Sequence, residues 1–322
     1  MKCGHNLLSL IIPLYNEENN ILPLYDKIVA VIPLLPCRIE IIFINDGSSD
    51  GSRVVLDRLA DRDPIVKVIH FRRNFGQTTA IMAGIDFSSG DVLIPMDGDL
   101  QNDPGDIPRL LEKLDEGYDV CSGWRESRKD NPMTRNLPSQ IANWMISTIS
   151  GVHLHDYGCS LKAYTKDVIK GVKLYGEMHR FIPIYATWQG ARVTEIPVTH
   201  HARIHGKSKY GLERTVKVIL DLIVVKFLAK YAQKPIYVFG TFGLLSLVVA
   251  FIAASASLYY KLMGEKSFIE TPLPLIFVMA GITGIMCILM GLLAELIMRT
   301  YYESQRKPVY LIDECRNLEV KP

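Results

Sequence analysis

Over the first two-thirds of the chain, short apolar runs alternate with segments whose apolar residues recur at helical spacing. Leu8 to Leu14, Ile39 to Asn45, Val66 to Phe71, Asp91 to Met96 and Val120 to Trp124 are strand-length runs rich in Ile, Val and Leu. Near-continuous apolar runs of this kind are the mark of strands covered on both faces. Between them, Asp50 to Ala60, Gln77 to Phe87 and Asp106 to Glu116 carry helical patterns. A further strand is predicted at Ser160 to Tyr164. The alternation predicts βαβ units, hence an α/β domain with a mostly parallel sheet and helices on both faces. Ligands of such sheets bind outside the carboxyl ends of the strands. The residues that follow each run are therefore the ones to read for chemistry.

The last third has a different pattern. Pro235 to Tyr260 holds no charged residue, and Thr271 to Met298 holds only Glu295. Each exceeds the roughly 20 residues that cross a hydrocarbon core. Few soluble helices run so long without a charge, which favours two transmembrane helices over a pair of core helices. Lys226, Lys230 and Lys234 precede the pair, and Arg299, Arg306 and Lys307 follow it. The positive-inside rule then puts both termini and the α/β domain in the cytoplasm. From Tyr210 to Lys234, apolar Leu212, Val216, Ile219, Ile223 and Phe227 share a face while Arg214, Lys217, Lys226 and Lys230 fill the gaps. This predicts an amphipathic basic helix at a membrane surface. Pro138 to Ile149 is a second such segment, equally readable as a core helix. The expected division is a cytoplasmic domain over residues 1–209, an amphipathic helix over 210–234, a transmembrane hairpin over 235–298 and a cytoplasmic tail over 299–322.

Composition adds exclusions. Of 322 residues, 48% are hydrophobic and 22% charged, with 36 Lys+Arg against 34 Asp+Glu. A disordered chain is excluded. A net charge of +2 gives no global attraction to nucleic acid. The six cysteines, Cys3, Cys37, Cys121, Cys159, Cys287 and Cys315, form no C-x-x-C pair. That speaks against structural zinc and a disulfide framework, and fits a reducing compartment. Leu7 to Tyr15 has the apolarity of a signal-peptide core, but Asn16, Glu17 and Glu18 follow at once, so a buried strand is expected.

Candidate chemistry lies at the strand ends. Asp97-Gly98-Asp99 follows the fourth run. Two carboxylates one residue apart can share Mg²⁺ or Mn²⁺ with a diphosphate, since these ions take oxygen ligands and often bind through one or two carboxylates plus phosphates. Gln101 and Asn102 add amide oxygens. Pro13-Leu14-Tyr15-Asn16-Glu17 follows the first run, and Asn45-Asp46-Gly47-Ser48-Ser49-Asp50-Gly51 the second. Alone, each is a turn with a helix cap. Three acidic loops on one rim suit a nucleotide.

Pro13-x-Tyr15-Asn16-Glu17, Asp46-Gly47-Ser48-Ser49-Asp50-Gly51, Asn74-x-Gly76-Gln77 and Asp97-Gly98-Asp99-Leu100-Gln101-Asn102-x-Pro104 together resemble the family 2 glycosyltransferases. Within these, the chain is similar to the polyprenyl-phosphate glycosyltransferases related to dolichol-phosphate mannose synthase, and most of all to the bacterial polyisoprenyl-phosphate glucosyltransferases. The resemblance runs from residue 7 to near residue 310. It implies a glycosyltransferase A-type nucleotide-binding fold and transfer with inversion. It implies that Pro13, Tyr15, Glu17 and Asp46 hold the nucleoside, and that Asp97 and Asp99 sit at the diphosphate and the Mg²⁺ or Mn²⁺, with Gln101 as a further ligand. It implies that Arg125, Arg128, Arg135, Ser139, Arg203, Lys207 and Lys209 face the acceptor phosphate, and that Asp156 lies near it. Asp-Gly-Asp stands here where Asp-Ala-Asp is common.

The reading that follows is transfer of a hexose from a nucleotide sugar to polyprenyl phosphate, with UDP-glucose expected as donor. A UDP-linked 4-amino-4-deoxy-arabinose derivative and GDP-mannose are the alternatives. Bringing a lipid phosphate up to a diphosphate sets two anions together, which needs the metal on one side and Arg or Lys on the other. A phosphate monoester has its second pKa near about 6, so Asp156 is either a base or a group that orients the attack. A processive polysaccharide synthase would carry Gln-x-x-Arg-Trp, which is absent. A non-catalytic membrane scaffold would have no use for the paired aspartates. His153, His155, His200, His201 and His205 are read as surface or core histidines. Val309 to Ile312 is a candidate strand for pairing with a second copy in a homo-oligomer.

Overall fold

The computed structural model describes residues 5–126, 143, 146–147, 150–170, 178–201, 236–264, 267–304 and 310–318. The chain divides into two compact units, Met1–Leu222 with Pro308–Pro322, and Ile223–Lys307.

The first unit is built on β1 (Leu7–Leu14), α1 (Glu18–Val31), β2 (Arg38–Asn45), α2 (Ser52–Arg62), β3 (Val66–Phe71), α3 (Gln77–Phe87), β4 (Val92–Pro95), α4 (Ile107–Asp115), β5 (Val120–Trp124), β6 (Lys162–Thr165), α5 (Lys166–Ile169), α6 (Ile182–Trp188), β7 (Val193–Pro197) and β8 (Ile312–Arg316). The eight strands form one sheet in the order β7-β5-β6-β4-β1-β2-β3-β8. The segment weighed as a signal-peptide core is β1, a central strand. It pairs in parallel with β2, from Leu7 opposite Arg38 to Leu14 opposite Asn45. On its other side it pairs in parallel with β4, from Leu8 opposite Val92 to Ile11 opposite Pro95.

Alternation along β1 assigns its two faces. Leu8, Leu10, Ile12 and Leu14 join a buried cluster with Ile21, Leu24 and Ile28 of α1 and Leu110 and Leu114 of α4. Ile11 points the other way, where α3 comes so close that a Cβ on Gly84 would lie 2.3 Å from the Ile11 side chain.

The sheet is mixed, and its antiparallel members aim the site. β6 runs antiparallel to both β4 and β5, so the loop that enters β6 lies on the rim where β4 ends. β5 runs parallel to β7, and the carboxyl ends of both reach that same rim. β8 runs antiparallel to β3, with Val68 opposite Arg316 and Phe71 opposite Ile312. The candidate strand at Val309 to Ile312 therefore begins later than expected and adds to the chain's own sheet.

The second unit contains two helices, α7 (Ile236–Leu262) and α8 (Leu273–Ser304). They touch closely at Gly243 and Gly284, where a Cβ on Gly243 would lie 2.8 Å from the Gly284 carbonyl oxygen. Nearby, Ser246 Oγ donates to the Ala280 carbonyl at 2.8 Å. Small residues let backbones approach in this way. Phe239–Leu262 and Leu273–Ala294 are each long and apolar enough to cross a membrane. Their large apolar residues, Phe251, Leu258, Leu275 and Leu293 among them, are exposed. Soluble monomers rarely show so large an apolar surface. The amphipathic segment at 210–234 lies outside the described residues, as does most of the one at 138–149.

Candidate active site

Strand order reverses around β1, which has β2 on one side and β4 on the other. The loops that leave β1, β2 and β4 therefore meet at a switch point, the usual ligand crevice of an open α/β sheet.

The first two loops are stitched together by their own polar side chains. Asn16 takes a left-handed backbone, φ 54°, which Asn tolerates better than most residues. Its N–H donates to Ser48 Oγ at 2.9 Å, and its Oδ1 accepts from Ser49 N–H at 2.8 Å. Glu17 N–H donates to Ser52 Oγ at 3.3 Å, and Glu18 accepts from Gly51 N–H at 3.0 Å. Tyr15 stands at the crevice edge, 37% exposed. Glu17 accepts from the Asn20 amide at 2.5 Å.

Asp46 is only 3% exposed. Its carboxylate accepts from Phe75 N–H at 2.7 Å and Gly76 N–H at 2.9 Å. Burial raises its pKa above the usual 3.8, against the pull of those two bonds. Asp46 thus fixes the loop between β3 and α3, while each oxygen keeps a second lone pair for a ligand. Gly47 follows with φ 66°, and a Cβ there would lie 2.3 Å from the Arg73 carbonyl carbon. Only glycine fits both the backbone and the space.

Asp97 and Asp99 leave β4 on either side of Gly98. Asp97 Oδ1 accepts from Gln77 Nε2 at 2.6 Å, and the Ser160 hydroxyl lies near enough to lower the Asp97 pKa. Ser160 in turn accepts from Asn102 Nδ2 at 2.7 Å. Asp99 is 8% exposed and accepts from Gln101 N–H at 3.2 Å. Leu100 between them is buried yet has φ 62°, a strained turn for a branched side chain that burial holds in place. Burial raises the Asp97 pKa, and the nearby Asp99 charge raises it further; Ser160, Arg125 and Arg180 oppose this.

Two carboxylates one residue apart in a poorly solvated niche set hard oxygens side by side, and these fit Mg²⁺ or Mn²⁺. No group of three or more His, Cys, Asp or Glu that could hold a metal occurs among the described residues, so this pair would need oxygens of another kind to complete a metal's shell. Of the histidines singled out in the sequence, His155 pairs with Glu195, and His201 with Asp103 at 2.9 Å. His205 lies outside the described residues.

Facing this pair on the same rim is a buried ion pair. Arg125, just past β5, donates from Nε to Asp156 Oδ2 at 2.7 Å and from Nη2 to Oδ1 at 3.1 Å. Asp156 is 2% exposed and also accepts from Gly158 N–H at 3.0 Å. Burial opposes the Arg125 charge, but the Asp156 bonds outweigh it and raise its pKa. Below lies Lys162, also buried, whose Nζ donates to the Tyr157 carbonyl at 2.9 Å. Burial lowers its pKa to about 8. The other expected acceptor-side residues, Arg128, Arg135, Ser139, Arg203, Lys207 and Lys209, lie outside the described residues.

The structure also brings in Gln77, Ser160 and Arg180, to which sequence reasoning gave no role. Gln77 was visible as the last residue of Asn74-x-Gly76-Gln77. Ser160 and Arg180 carry no local signal; they arrive through the reversed direction of β6 and the chain that follows it.

The model of Glycosyl transferase family 2 matches residues 9–171, the span that holds every one of these loops up to Ser160. The chain belongs to glycosyl transferase family 2. This glycosyltransferase is 42% identical over 315 residues to the dodecaprenyl-phosphate galacturonate synthase of Rhizobium johnstonii, covering 95% of the chain and 91% of the relative. It is 36% identical over 308 residues to the undecaprenyl-phosphate 4-deoxy-4-formamido-L-arabinose transferase of Edwardsiella ictaluri, covering 95% and 93%. Among solved structures, glucosyl-3-phosphoglycerate synthase from Mycobacterium tuberculosis, in complex with Mn²⁺, uridine-diphosphate and phosphoglyceric acid, superposes with a TM-score of 0.53. That match covers 71% of this chain and 79% of the other at 15% identity. The shared feature there is the glycosyltransferase A fold.

Proposed function

We propose that this glycosyltransferase moves one sugar from a uridine-diphosphate donor to the phosphate of a polyprenyl lipid, at the cytoplasmic face of a bacterial inner membrane. The observation that carries the reading is the placement of two charge systems on one rim: the Asp97/Asp99 carboxylates at the switch point, and the Arg125–Asp156 pair beyond the end of β5. The first suits a diphosphate with its cation, the second an incoming phosphate. The relatives support the lipid acceptor, since both are named for polyprenyl phosphates. Their names carry galacturonate and 4-deoxy-4-formamido-L-arabinose, which gives no support to the glucose expected from the motifs. We take galacturonate as the first donor sugar to test.

In this reading the loops of Tyr15, Glu17 and Asp46 bind the nucleoside, and Asp97, Asp99 and Gln101 hold Mg²⁺ or Mn²⁺. When bound, such an ion supplies Lewis-acid stabilisation to the leaving diphosphate. Gln77 orients the Asp97 carboxylate. Arg125 presents a guanidinium to the lipid phosphate, and Asp156 holds that guanidinium in place. The phosphate is already largely dianionic near neutral pH, so it attacks the anomeric carbon without losing a proton to the protein, and the configuration inverts. α7 and α8 anchor the chain in the bilayer where such a lipid resides.

The test is UDP release by the purified full chain in detergent, with undecaprenyl phosphate, UDP-galacturonate and Mn²⁺. Release should require the lipid. Asp99→Ala should cut it by roughly 100-fold or more, the scale of losing a main electrostatic group at a reacting centre, with circular dichroism unchanged. Turnover by Asp99→Ala at the wild-type rate would refute the assignment of the aspartates.

A further inference from the structure

The chain returns to the catalytic unit after α8, and what it does there reaches the nucleotide loops. Tyr310 is 6% exposed. Its ring stacks on Phe71 at the end of β3, with centroids 5.4 Å apart and planes 16° from parallel. Its hydroxyl donates to Asp86 of α3 at 2.9 Å. Phe71 meets Phe75 edge-on at 5.6 Å, and the Arg73 guanidinium covers the Phe75 ring at 4.1 Å. The next residue's carbonyl, Leu311 O, accepts from Arg72 N–H at 3.1 Å. Phe75 and Gly76 are the residues whose N–H groups hold the Asp46 carboxylate, and Gln77 is the residue that holds Asp97.

The segment from Phe71 to Gln77 is thus gripped from two sides. On the catalytic side are the carboxylates of Asp46 and Asp97. On the other is the C-terminal strand. That strand is itself fastened: Arg53 of α2 donates to Asp313 and Glu314 at 2.7 Å each, and Asn317 Nδ2 donates to the Ala60 and Val66 carbonyls at 2.8 Å. A loop whose amides must point at a buried carboxylate needs backing, because Gly76, at φ 94°, has no Cβ to restrict its own backbone.

We infer that Tyr310 is a positioning residue of the donor site: through Phe71 and Phe75 it holds the 72–77 loop in the form that orients Asp46 for the nucleoside and Asp97 for the diphosphate. This rests on the donor reading given above. It makes the strand that follows α8 a working part of the active site, so that nucleotide affinity depends on a segment distant in sequence from every motif residue.

The experiment uses the full chain in detergent with UDP and MnCl₂ as the probe. Tyr310→Leu keeps apolar cover while removing the ring and hydroxyl. Tyr310→Phe keeps the stack and loses only the bond to Asp86. Tyr25→Phe, which removes the hydroxyl bond to Asp63 at 2.6 Å, serves as a stability control away from the loop. Tyr310→Leu should weaken UDP by up to about 10-fold, the scale of a lost aromatic pair, with Tyr310→Phe near wild type and Tyr25→Phe unchanged. Amide exchange at Phe75 and Gly76 without nucleotide should quicken in Tyr310→Leu alone. Unchanged UDP affinity, unchanged exchange, or an equal loss in Tyr25→Phe would overturn the inference while leaving the donor reading intact. A wild-type chain that fails to bind UDP would overturn the donor reading, and this role of Tyr310 with it.

Discussion

At Asp156 the surroundings separate two roles that residue type leaves open. A general base needs a lone pair facing the substrate and access to its proton. Asp156 is buried, and three N–H groups from Arg125 and Gly158 converge on its two oxygens. That arrangement favours the carboxylate that aims a guanidinium over one that takes a proton. Removing one member of a buried pair leaves the other charge uncompensated, typically at about 3 kcal/mol or more. Asp156→Asn should therefore lower both the melting temperature and kcat, the latter roughly 10- to 100-fold. Arg125→Met should cost as much, and the double variant little more than either, because the two act as a unit. Additive losses, or a loss confined to Asp156, would restore the general base. The aspartates of the site were legible because Asp-Gly-Asp at a strand end is a local signal. The partnership of Asp156 with Arg125, separated by 31 positions, was not, because no local pattern encodes it.

Among elements, the junction of β2, β3 and α2 supports the nucleotide loops from beneath. His70 of β3 is buried between Asn45 of β2 and Asp57 of α2, at 3.0 Å from each. Asn45 Oδ1 is taken by Ser48 N–H at 3.0 Å, so its amide presents N–H to the ring. His70 Nδ1 then accepts, and Nε2–H donates to Asp57. Burial lowers the His70 pKa below its ordinary 6.5, with Arg53 acting the same way and Asp57 and Glu314 opposing. The unfolded chain therefore binds this proton at a higher pH than the folded one, and stability rises with pH through that window. The melting temperature should fall as pH drops below 6.5, and His70→Gln should flatten that fall. An identical pH profile in the variant would remove His70 as its source.

The parallel core of the sheet was readable from apolar runs, and the predicted β3, β5 and α3 match the structure residue for residue. The reversed direction of β6 was not, since Lys162–Thr165 is four residues long and its partners are set by tertiary pairing. β8 was expected three residues early and against a second copy, for a similar reason. Its Asp313 and Glu314 are satisfied by Arg53, a contact across 260 positions for Asp313.

For the whole molecule, a soluble-type nucleotide fold and a helical pair with exposed apolar flanks share one chain. The helical pair was plain in the sequence because its apolar runs are long and nearly uncharged. The sugar was not, since donors of this class differ by a few polar contacts that no motif records. The measurement that tests the account most directly is mass spectrometry of the lipid product. Purified chain would be given undecaprenyl phosphate, Mn²⁺ and a mixed pool of nucleotide sugars, with Asp99→Ala in parallel. The account predicts polyprenyl phosphate heavier by a single sugar residue, galacturonate first among the candidates, and no such species from Asp99→Ala. Unmodified lipid from the wild-type chain across the whole pool, or a ladder of several sugars, would contradict it.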